Sequence, residues 1–330
     1  MQYYDLLIYY VNRWEGMKGN QLELPPPGNG FFLSSSGGHF SELIYIAKRF
    51  KASSNSLILT FNGSDTKVGA LEFNIHYIKY VKPRKFLPLL RMMPSIHRLM
   101  KNHEFNYIAS TGAAIAIIGY LLSKIKRVPF YYVEIIARQT TLSLTAKILK
   151  LLGVGKIFVQ SSLLQSSHNT YLEHPFNKYR VIKSKAFHVN GARRILVAFG
   201  TIQGFNFNRG LDLAKSIMNE NDSIEWQVGF MNAGNLPGIK HEQIDRTDFL
   251  EAITRADVVI CHGGIGVITD CLSSGKIPLV IPRRKSFGEH VDDHQVEIVN
   301  FLSEKGLAIN LEIKHDRSVI NYVLTNKVIH

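Results

Sequence analysis

Residues 256–282 read ADVVICHGGIGVITDCLSSGKIPLVIP, in which an apolar run ends in a glycine-rich loop, a helix pattern follows and a second apolar run closes the segment. Short apolar runs bounded by turn residues are typical of strands buried in a parallel sheet. A glycine loop between such a strand and a helix places unpaired backbone N–H groups and the positive end of the helix dipole together. The segment therefore predicts an α/β unit whose loop binds an anion such as a diphosphate.

Strand and helix patterns alternate through the rest of the chain as well. In the N-terminal half, a short strand is predicted from Phe31, followed by the loop SSSGGHFSE and a first helix from about Glu42. Further strands are predicted at 57–61, 107–110, 129–134 and 156–160, and helices at 113–125 and 143–152. In the C-terminal half, strands are predicted at 194–200, 226–230, 257–264 and 278–282, and helices near 211–218, 249–254, 268–274 and 294–304. The pattern predicts two Rossmann-like, doubly wound domains facing a central cleft, at 31–172 and 194–330. Residues 1–30, with an aromatic cluster and three prolines, are expected to form an extension, and 173–193 a linker.

The charge of the chain is concentrated in one half. Of its 330 residues, 39 are Lys or Arg and 26 are Asp or Glu, which gives a net charge of +13. Residues 1–186 contain 24 of the bases and 9 of the acids, so the whole excess lies there. An anionic lipid surface and a nucleic acid both attract such a surface, and charge alone leaves both open.

The expected location is the cytoplasmic face of a membrane, in peripheral attachment. The two cysteines, Cys261 and Cys271, form no disulfide framework and no metal-ligand cluster, which favours a reducing cytoplasm. We find no secretory signal pattern, and the apolar runs are too short to span a bilayer.

A basic and apolar segment at 77–101 is the predicted membrane contact. Its cations Lys82, Arg84, Lys85 and Arg91 alternate with apolar residues, as at interfacial membrane surfaces. Two prolines are expected to break the segment into short pieces. A solvated face over an ordinary core helix is the alternative, and a nucleic-acid surface is disfavoured because no known binding module accompanies it.

The C-terminal half resembles the donor-binding region of glycosyltransferase family 28, which has a glycine loop, an acidic residue on the next helix and a later Asp/Asn-His-Gln trio. The resemblance covers about 194–311. By that likeness the diphosphate and its sugar would contact a set of donor-binding residues, namely Gly200, Thr201, His262, Gly263, Gly264, Gly266, Asp293, His294 and Gln295. Asp270 would bind the ribose, and Phe249 would lie near the uracil.

The N-terminal half resembles a different component of the same system. The motifs SSSGGHFSE (34–42), FYYVEIIARQTTLSLTAKIL (130–149) and FVQ (158–160) are similar to the membrane-docking, acceptor-binding subunit of the two-component N-acetylglucosaminyltransferase of dolichol-linked glycan assembly and its bacterial polysaccharide counterparts. The resemblance implies that both components are fused here. It also implies acceptor-binding roles for Gly37, Gly38, Glu134 and Arg138. Ser161 stands where that family has Trp.

Two side chains on the first predicted helix are candidates for the catalytic base. His39 and Glu42 are three residues apart and share a helix face, and either could take the proton of an attacking sugar hydroxyl. Helix capping or phosphate binding is the alternative for His39. A structural ion pair is the alternative for Glu134 and Arg138.

No cofactor is expected. The chain contains no Asp-any-Asp motif, and we identify no His, Cys and carboxylate set with metal-ligand spacing. Metal independence is therefore predicted, with helix N-termini and Arg283, Arg284 or Lys285 neutralising the leaving UDP.

The sequence thus predicts a GT-B glycosyltransferase that moves a sugar, with inversion, from a UDP-sugar to a polyprenyl-diphosphate-linked saccharide at an anionic membrane. A UDP-sugar 2-epimerase-type enzyme and a non-catalytic membrane scaffold are the alternatives.

Overall fold

The computed structural model describes residues 23–62, 72–81, 87–154, 157–184, 192–200, 204–232 and 234–330. These residues form two parallel sheets, each with an apolar core on both faces. Successive residues of one strand supply opposite cores: Ile195 and Val197 face one side of the second sheet, and Leu196 and Ala198 the other. Burial of both faces explains why these strands are continuously apolar.

The first sheet has the strand order β3-β2-β1-β4-β5. Its strands are β1 (Gly30–Leu33), β2 (Leu57–Phe61), β3 (Asn74–Ile78), β4 (Tyr107–Ser110) and β5 (Phe130–Tyr132). The helices of this half are α1 (Gly38–Arg49), α2 (Leu87–Lys101), α3 (Ile115–Lys126) and α4 (Leu144–Leu151). A parallel pair, β6 (Ile157–Val159) and β7 (Asn169–Tyr171), extends the sheet through a bridge between Val133 and Phe158.

The second sheet has the order β11-β10-β9-β12-β13-β14. Its strands are β9 (Arg194–Ala198), β10 (Ser223–Gln227), β11 (Ile239–His241), β12 (Val258–His262), β13 (Leu279–Ile281) and β14 (Ile309–Asn310). The helices are α5 (Asn208–Ser216), α6 (Arg246–Arg255), α7 (Ile265–Ser273), α8 (His294–Glu304) and α9 (Ser318–Thr325). Both strand orders have the Rossmann pattern, so the predicted pair of doubly wound domains is confirmed.

The strand orders locate the sites. In each sheet the order reverses between two adjacent strands, β1 and β4 in the first and β9 and β12 in the second. Open α/β sheets bind ligands beyond the carboxyl ends of the strands at this reversal. The loops that follow these four strands are therefore the ones that matter for function.

Two local predictions need correction. Residues 87–101 form the single helix α2 in spite of Pro94, because its apolar residues Ile96 and Met100 are packed in the core. The predicted linker contains β8 (Arg180–Lys183), which pairs antiparallel with β15 (Asn326–Ile329). No helix among the described residues is long and apolar enough to cross a membrane.

Candidate active site

His39 lies at the strand-order reversal of the first sheet. Its ring Nδ1 is 3.0 Å from the carbonyl oxygen of Thr111, which follows β4. Because a carbonyl only accepts, Nδ1 carries the proton and Nε2 keeps its lone pair. Burial of the ring, together with the nearby His294 and Arg138, lowers the pKa of His39 to about 4. His39 is thus a neutral base with an available nitrogen at pH 7.

Glu42, the second candidate base, is buried and hydrogen-bonded within the N-terminal domain. It is 3% exposed, and its Oε1 accepts hydrogen bonds from the Ile136 N–H (2.8 Å) and from the Gln160 amide. Burial raises the pKa of Glu42 to about 8, so it holds its proton at neutral pH. These contacts favour a positioning role for Glu42, below the loop that follows β5.

Glu134 anchors the same loop from within. Its carboxylate accepts hydrogen bonds from the backbone N–H groups of Ser143 (2.7 Å) and Ile135 (3.2 Å), and it is 1% exposed. Burial raises its pKa. Ser161, at the position of the expected Trp, donates to the Gln139 carbonyl (2.7 Å) and so still contacts this loop. Glu134 is therefore a positioning residue, neither free for the acceptor nor ion-paired with Arg138.

Arg138 crosses the cleft instead. Its guanidinium pairs with Asp292 and lies 3.7 Å from Glu297, both in the C-terminal half. The Glu297 carboxylate also accepts hydrogen bonds from the backbone N–H groups of Gln139 (2.9 Å) and Thr140 (2.8 Å). We call these contacts the cleft latch. They hold the two domains together at the loop that Glu42 and Glu134 position.

His262 is the counterpart of His39 in the second sheet. It ends β12, and its Nδ1 is 3.2 Å from the carbonyl oxygen of Ala198 at the end of β9. Burial and the nearby Arg283 lower the pKa of His262 to about 3, so it is neutral. A Cβ on Gly200 would lie 2.8 Å from the ring, and one on Gly264 only 2.4 Å. Both glycines are therefore needed to leave room for this histidine.

The two glycine loops face each other. A Cβ on Gly38, at the start of α1, would lie 3.6 Å from the Cβ of Ile265, the first residue of α7. A Cβ on Gly266 would lie 3.6 Å from the Ser41 hydroxyl. Gly37 has φ +78°, a conformation that favours glycine, at the turn into α1. The N-termini of α1 and α7 thus meet in the cleft and direct their N–H groups and dipoles into it.

Asp270 and Phe249, the residues predicted to contact the ribose and to lie near the uracil, have other partners in the structure. Both oxygens of Asp270 are paired with the guanidinium of Arg246, at the start of α6, with one contact of 2.6 Å. Phe249 is 7% exposed and packs in the core below α6, so it does not line the site. Arg246, which had no local sequence signal, is thus the ion-pair partner of Asp270.

The predicted trio divides into three different roles. The side-chain Oε1 of Gln295 accepts hydrogen bonds from the backbone N–H groups of Gly263 (3.1 Å) and Arg283 (3.0 Å), which fixes the glycine loop. Asp293 accepts from the Lys285 N–H (2.8 Å). His294 donates its Nδ1 proton to Asp292 (2.5 Å), which leaves its Nε2 available. Asp292, passed over in the sequence, is the residue that joins His294 to the cleft latch.

Two of the arginines expected to neutralise UDP are engaged elsewhere. Arg283 is 1% exposed, donates to the Phe199 carbonyl (3.0 Å) and stacks on the Phe207 ring. Arg284 pairs with Glu312 at 2.6 Å. Lys285 is exposed. Arg283 still lies near His262, and the N-terminus of α7 and Arg246, which pairs with Asp270 of that helix, are further positive groups close to the predicted donor loop.

The structure also reveals a cluster that the sequence reading missed. Its members are His290, Asp292 and His294, and one potential metal-ligand atom from each lies within 4.8 Å of the others. The prediction that the chain has no His, Cys and carboxylate set suited to a metal is therefore corrected. Burial alone would raise the pKa of Asp292, but His290, then the hydrogen bond to His294 and the charge of Arg138 hold this pKa well below the usual range. Arg138 and the N-terminus of α8 already supply positive charge at this carboxylate.

Several residues that the sequence predicted for the donor site or the membrane contact are not part of the site described above. Thr201, Lys82, Arg84 and Lys85 lie outside the described residues, as does the aromatic cluster within 1–22. Arg91 is exposed on α2, but the apolar residues around it pack inward against the first sheet. In its described part, α2 therefore has the solvated face of an ordinary core helix.

Sequence comparison relates the second domain to known transferases. Residues 218–324 match the profile of the glycosyltransferase family 28 C-terminal domain. A segment of 62 residues is 37% identical to the UDP-N-acetylglucosamine--N-acetylmuramyl-(pentapeptide) pyrophosphoryl-undecaprenol N-acetylglucosamine transferase of Ralstonia nicotianae. That segment is 19% of this chain and spans only 16% of the relative.

Solved structures resemble about nine-tenths of the chain. MurG of Acinetobacter baumannii has a TM-score of 0.52 at 18% identity, with 89% of each chain covered. The glycosyltransferase of kitacinnamycin has a TM-score of 0.56 at 15% identity, with 91% of each covered. A Listeria monocytogenes protein assigned as a UDP-N-acetylglucosamine 2-epimerase has 0.51 at 10%, with 91% of this chain and 90% of that chain covered. The chain therefore has the GT-B fold, and its residues 218–324 are similar to the C-terminal domain of glycosyltransferase family 28.

Proposed function

We propose that this chain is an inverting glycosyltransferase that moves a sugar from a UDP-sugar to a polyprenyl-diphosphate-linked saccharide, with the acceptor and donor halves fused. The observation that carries the proposal is the meeting of the α1 and α7 N-termini beside neutral His39. Two anion-binding helix ends suit a reaction in which donor and acceptor both contain diphosphates. The match of residues 218–324 to a glycosyltransferase domain supports the donor assignment.

The proposed reaction is a single displacement. The acceptor hydroxyl oxygen attacks the anomeric carbon, the bond from that carbon to the UDP oxygen breaks, and UDP leaves with the electron pair. His39 Nε2 takes the hydroxyl proton. The N–H groups at the start of α7 stabilise the charge that develops on the diphosphate. Asp270, with Arg246, binds the ribose, and His294 offers its free Nε2 to a donor-sugar hydroxyl.

The proposed location is the cytoplasmic face of a membrane, in peripheral attachment. The buried free thiols of Cys261 and Cys271 suit a reducing compartment. A polyprenyl acceptor remains in the bilayer, so the enzyme must approach the surface to reach its head group.

The test is a screen of UDP-sugars against synthetic polyprenyl-diphosphate saccharides, with product mass and anomeric configuration recorded. A product heavier by one sugar, of inverted configuration, is expected. Turnover of a UDP-sugar without acceptor would support the 2-epimerase alternative instead. Absence of UDP binding by calorimetry would support a non-catalytic scaffold.

We also propose that transfer needs no metal, because the N–H groups and dipole at the start of α7 stabilise the charge of the leaving diphosphate. Transfer in excess EDTA should match the untreated rate. A loss restored by Zn²⁺ or Mn²⁺, and not restored in His290→Ala, would contradict the proposal and assign the His290, Asp292 and His294 cluster as a metal site.

A further inference from the structure

Large apolar side chains are exposed around α4, on the N-terminal domain. Leu144 is 63% exposed, Leu151 87%, Leu152 43%, Leu163 76% and Ile125 55%. We call these five residues the leucine face. Scattered apolar residues are ordinary on protein surfaces, but a group on adjacent elements marks an interaction surface.

The elements that carry the leucine face pack together in one core. Leu144 and Leu151 are seven residues apart on α4 and so lie on the same side of the helix. The opposite side carries Ala146 and Leu149, which pack with α3 and with Leu164. The Tyr120 hydroxyl in the middle of α3 donates to the Leu152 carbonyl (2.6 Å) and so joins α3 to the C-terminal end of α4. α4 is thus apolar on both its inner and its outer side.

The exposed charges within the described part of residues 105–172, the segment that carries the leucine face, are basic, and the exposed Glu104 and Glu173 lie just outside it. Residues 105–172 contain seven Lys or Arg, and their sole acid is Glu134, which is 1% exposed. Lys147 is exposed on α4 between Leu144 and Leu151, and Lys124 and Arg127 are exposed at the end of α3. A second copy of the same face would bring like charges together, whereas an anionic lipid surface complements them.

The leucine face also adjoins the cleft. The Thr140 N–H donates to Glu297 in the cleft latch, the Ser143 N–H donates to Glu134, and α4 begins at the next residue, Leu144. A single short segment therefore connects the side of the cleft to the exposed leucines.

We infer that the leucine face docks on an anionic lipid bilayer and holds the cleft at the membrane surface. Leucine side chains enter the acyl boundary while the cations bind lipid phosphates. The benefit to transfer rests on the proposed function, because a polyprenyl acceptor would then reach the cleft without leaving the bilayer. Docking itself does not depend on it.

Vesicle co-sedimentation tests the inference, with phosphatidylcholine alone or mixed with phosphatidylglycerol. Wild-type protein should bind the mixed vesicles and release as salt rises. Leu144→Gln and Leu151→Gln should each weaken binding by about tenfold or more. The matched control is Ile313→Gln, since Ile313 is 69% exposed in the other domain, and it should bind like wild type. Circular dichroism verifies that each variant is folded.

Transfer assays separate this inference from the proposed function. The two leucine variants should keep their activity on a short-chain, water-soluble acceptor and lose it on vesicle-embedded acceptor. Unchanged vesicle binding in both variants would overturn the inference while leaving transfer intact. A dimer in light scattering that Leu151→Gln dissociates, with no vesicle binding by the wild type, would overturn it in favour of a second copy. Absence of transfer with intact, leucine-dependent vesicle binding would instead overturn the proposed function alone.

Discussion

Glu42 is a carboxyl group enclosed below the cleft, with a pKa raised by burial from 4.5 to about 8. The folded protein keeps this proton over a pH range in which the unfolded chain loses it. Its contribution to stability is therefore fully present below pH 4.5 and is lost as the pH rises through about 8. Glu42→Gln should remove that loss, which is on the order of a few kcal/mol. Urea unfolding of the wild type and of Glu42→Gln at about pH 5 and pH 8 measures this loss of unfolding free energy.

The same variant tests whether Glu42 is the base. A positioning role predicts that Glu42→Gln retains transfer activity, because glutamine preserves the acceptor for Ile136 and Gln160. A fall of about a hundredfold or more would make Glu42 catalytic. Glu72→Gln, at an exposed surface ion pair with Lys48, is the control and should change neither property.

His39 differs from Glu42, because its ring stays neutral and its Nε2 is available to accept a proton. His39→Gln should lower kcat by roughly 10²–10⁴ while UDP affinity is unchanged. Since the pKa of His39 is about 4, its protonation should not reduce kcat/KM at any pH above about 5. His168→Gln, at the surface, should behave as wild type. An unchanged kcat in His39→Gln would remove it from the mechanism.

The sequence identified which residues lie near the site more readily than it identified what each of them does. His39, His262, Gly264 and Asp270 could be identified because strand–glycine–helix patterns locate anion sites from local sequence alone. Asp292 could not be distinguished from Asp293, because only the crossing contact from Arg138 gives it a function. Residues that act through partners more than a hundred positions away have no local signal.

At the scale of elements, the start of α7 is the proposed diphosphate site. A Cβ added at Gly266 would lie 3.6 Å from the Ser41 hydroxyl, which is an ordinary van der Waals contact and no clash. Gly266→Ala should keep the fold, because alanine favours helix. It should weaken UDP binding by about tenfold or more, because its methyl group obstructs close approach of a phosphate. Calorimetry with UDP and a thermal melt measure the two effects.

Gly264→Ala is the companion variant. Its Cβ would displace His262, so it should lose UDP binding and melting temperature together. Unchanged UDP affinity in Gly266→Ala would exclude the α7 loop as the diphosphate site.

The buried parallel strands were predicted well, because continuous apolar runs between turn residues have few other interpretations. The short edge strand β3 and the pair β8 and β15 were missed, since their residues are half exposed and their pairing is set by distant chain. In α2, tertiary packing outweighed the local effect of Pro94.

At the scale of the whole molecule, the cleft latch controls how the domains sit in the absence of substrate. Glu297→Ala removes the acceptor of hydrogen bonds from Gln139 and Thr140 and leaves Arg138 with one partner fewer. The radius of gyration from X-ray scattering should rise as the cleft opens. Arg194→Ala, which breaks an exposed ion pair within one domain, is the control and should leave it unchanged. An equal radius for Glu297→Ala would mean that the apolar contacts of Ile135 and Ile136 suffice to close the cleft.

The pairing of β8 with β15 joins segments that the ribosome makes at very different times. Lys183 pairs with Asn326, and the chain between them must be translated before the two strands can meet. At roughly 5–20 residues per second this takes on the order of ten seconds, during which β8 has an unpaired edge. The first domain can complete its sheet during that interval, since its strands are all upstream. Nascent chains of this protein should therefore acquire protease resistance in two stages, the second only after β15 has emerged.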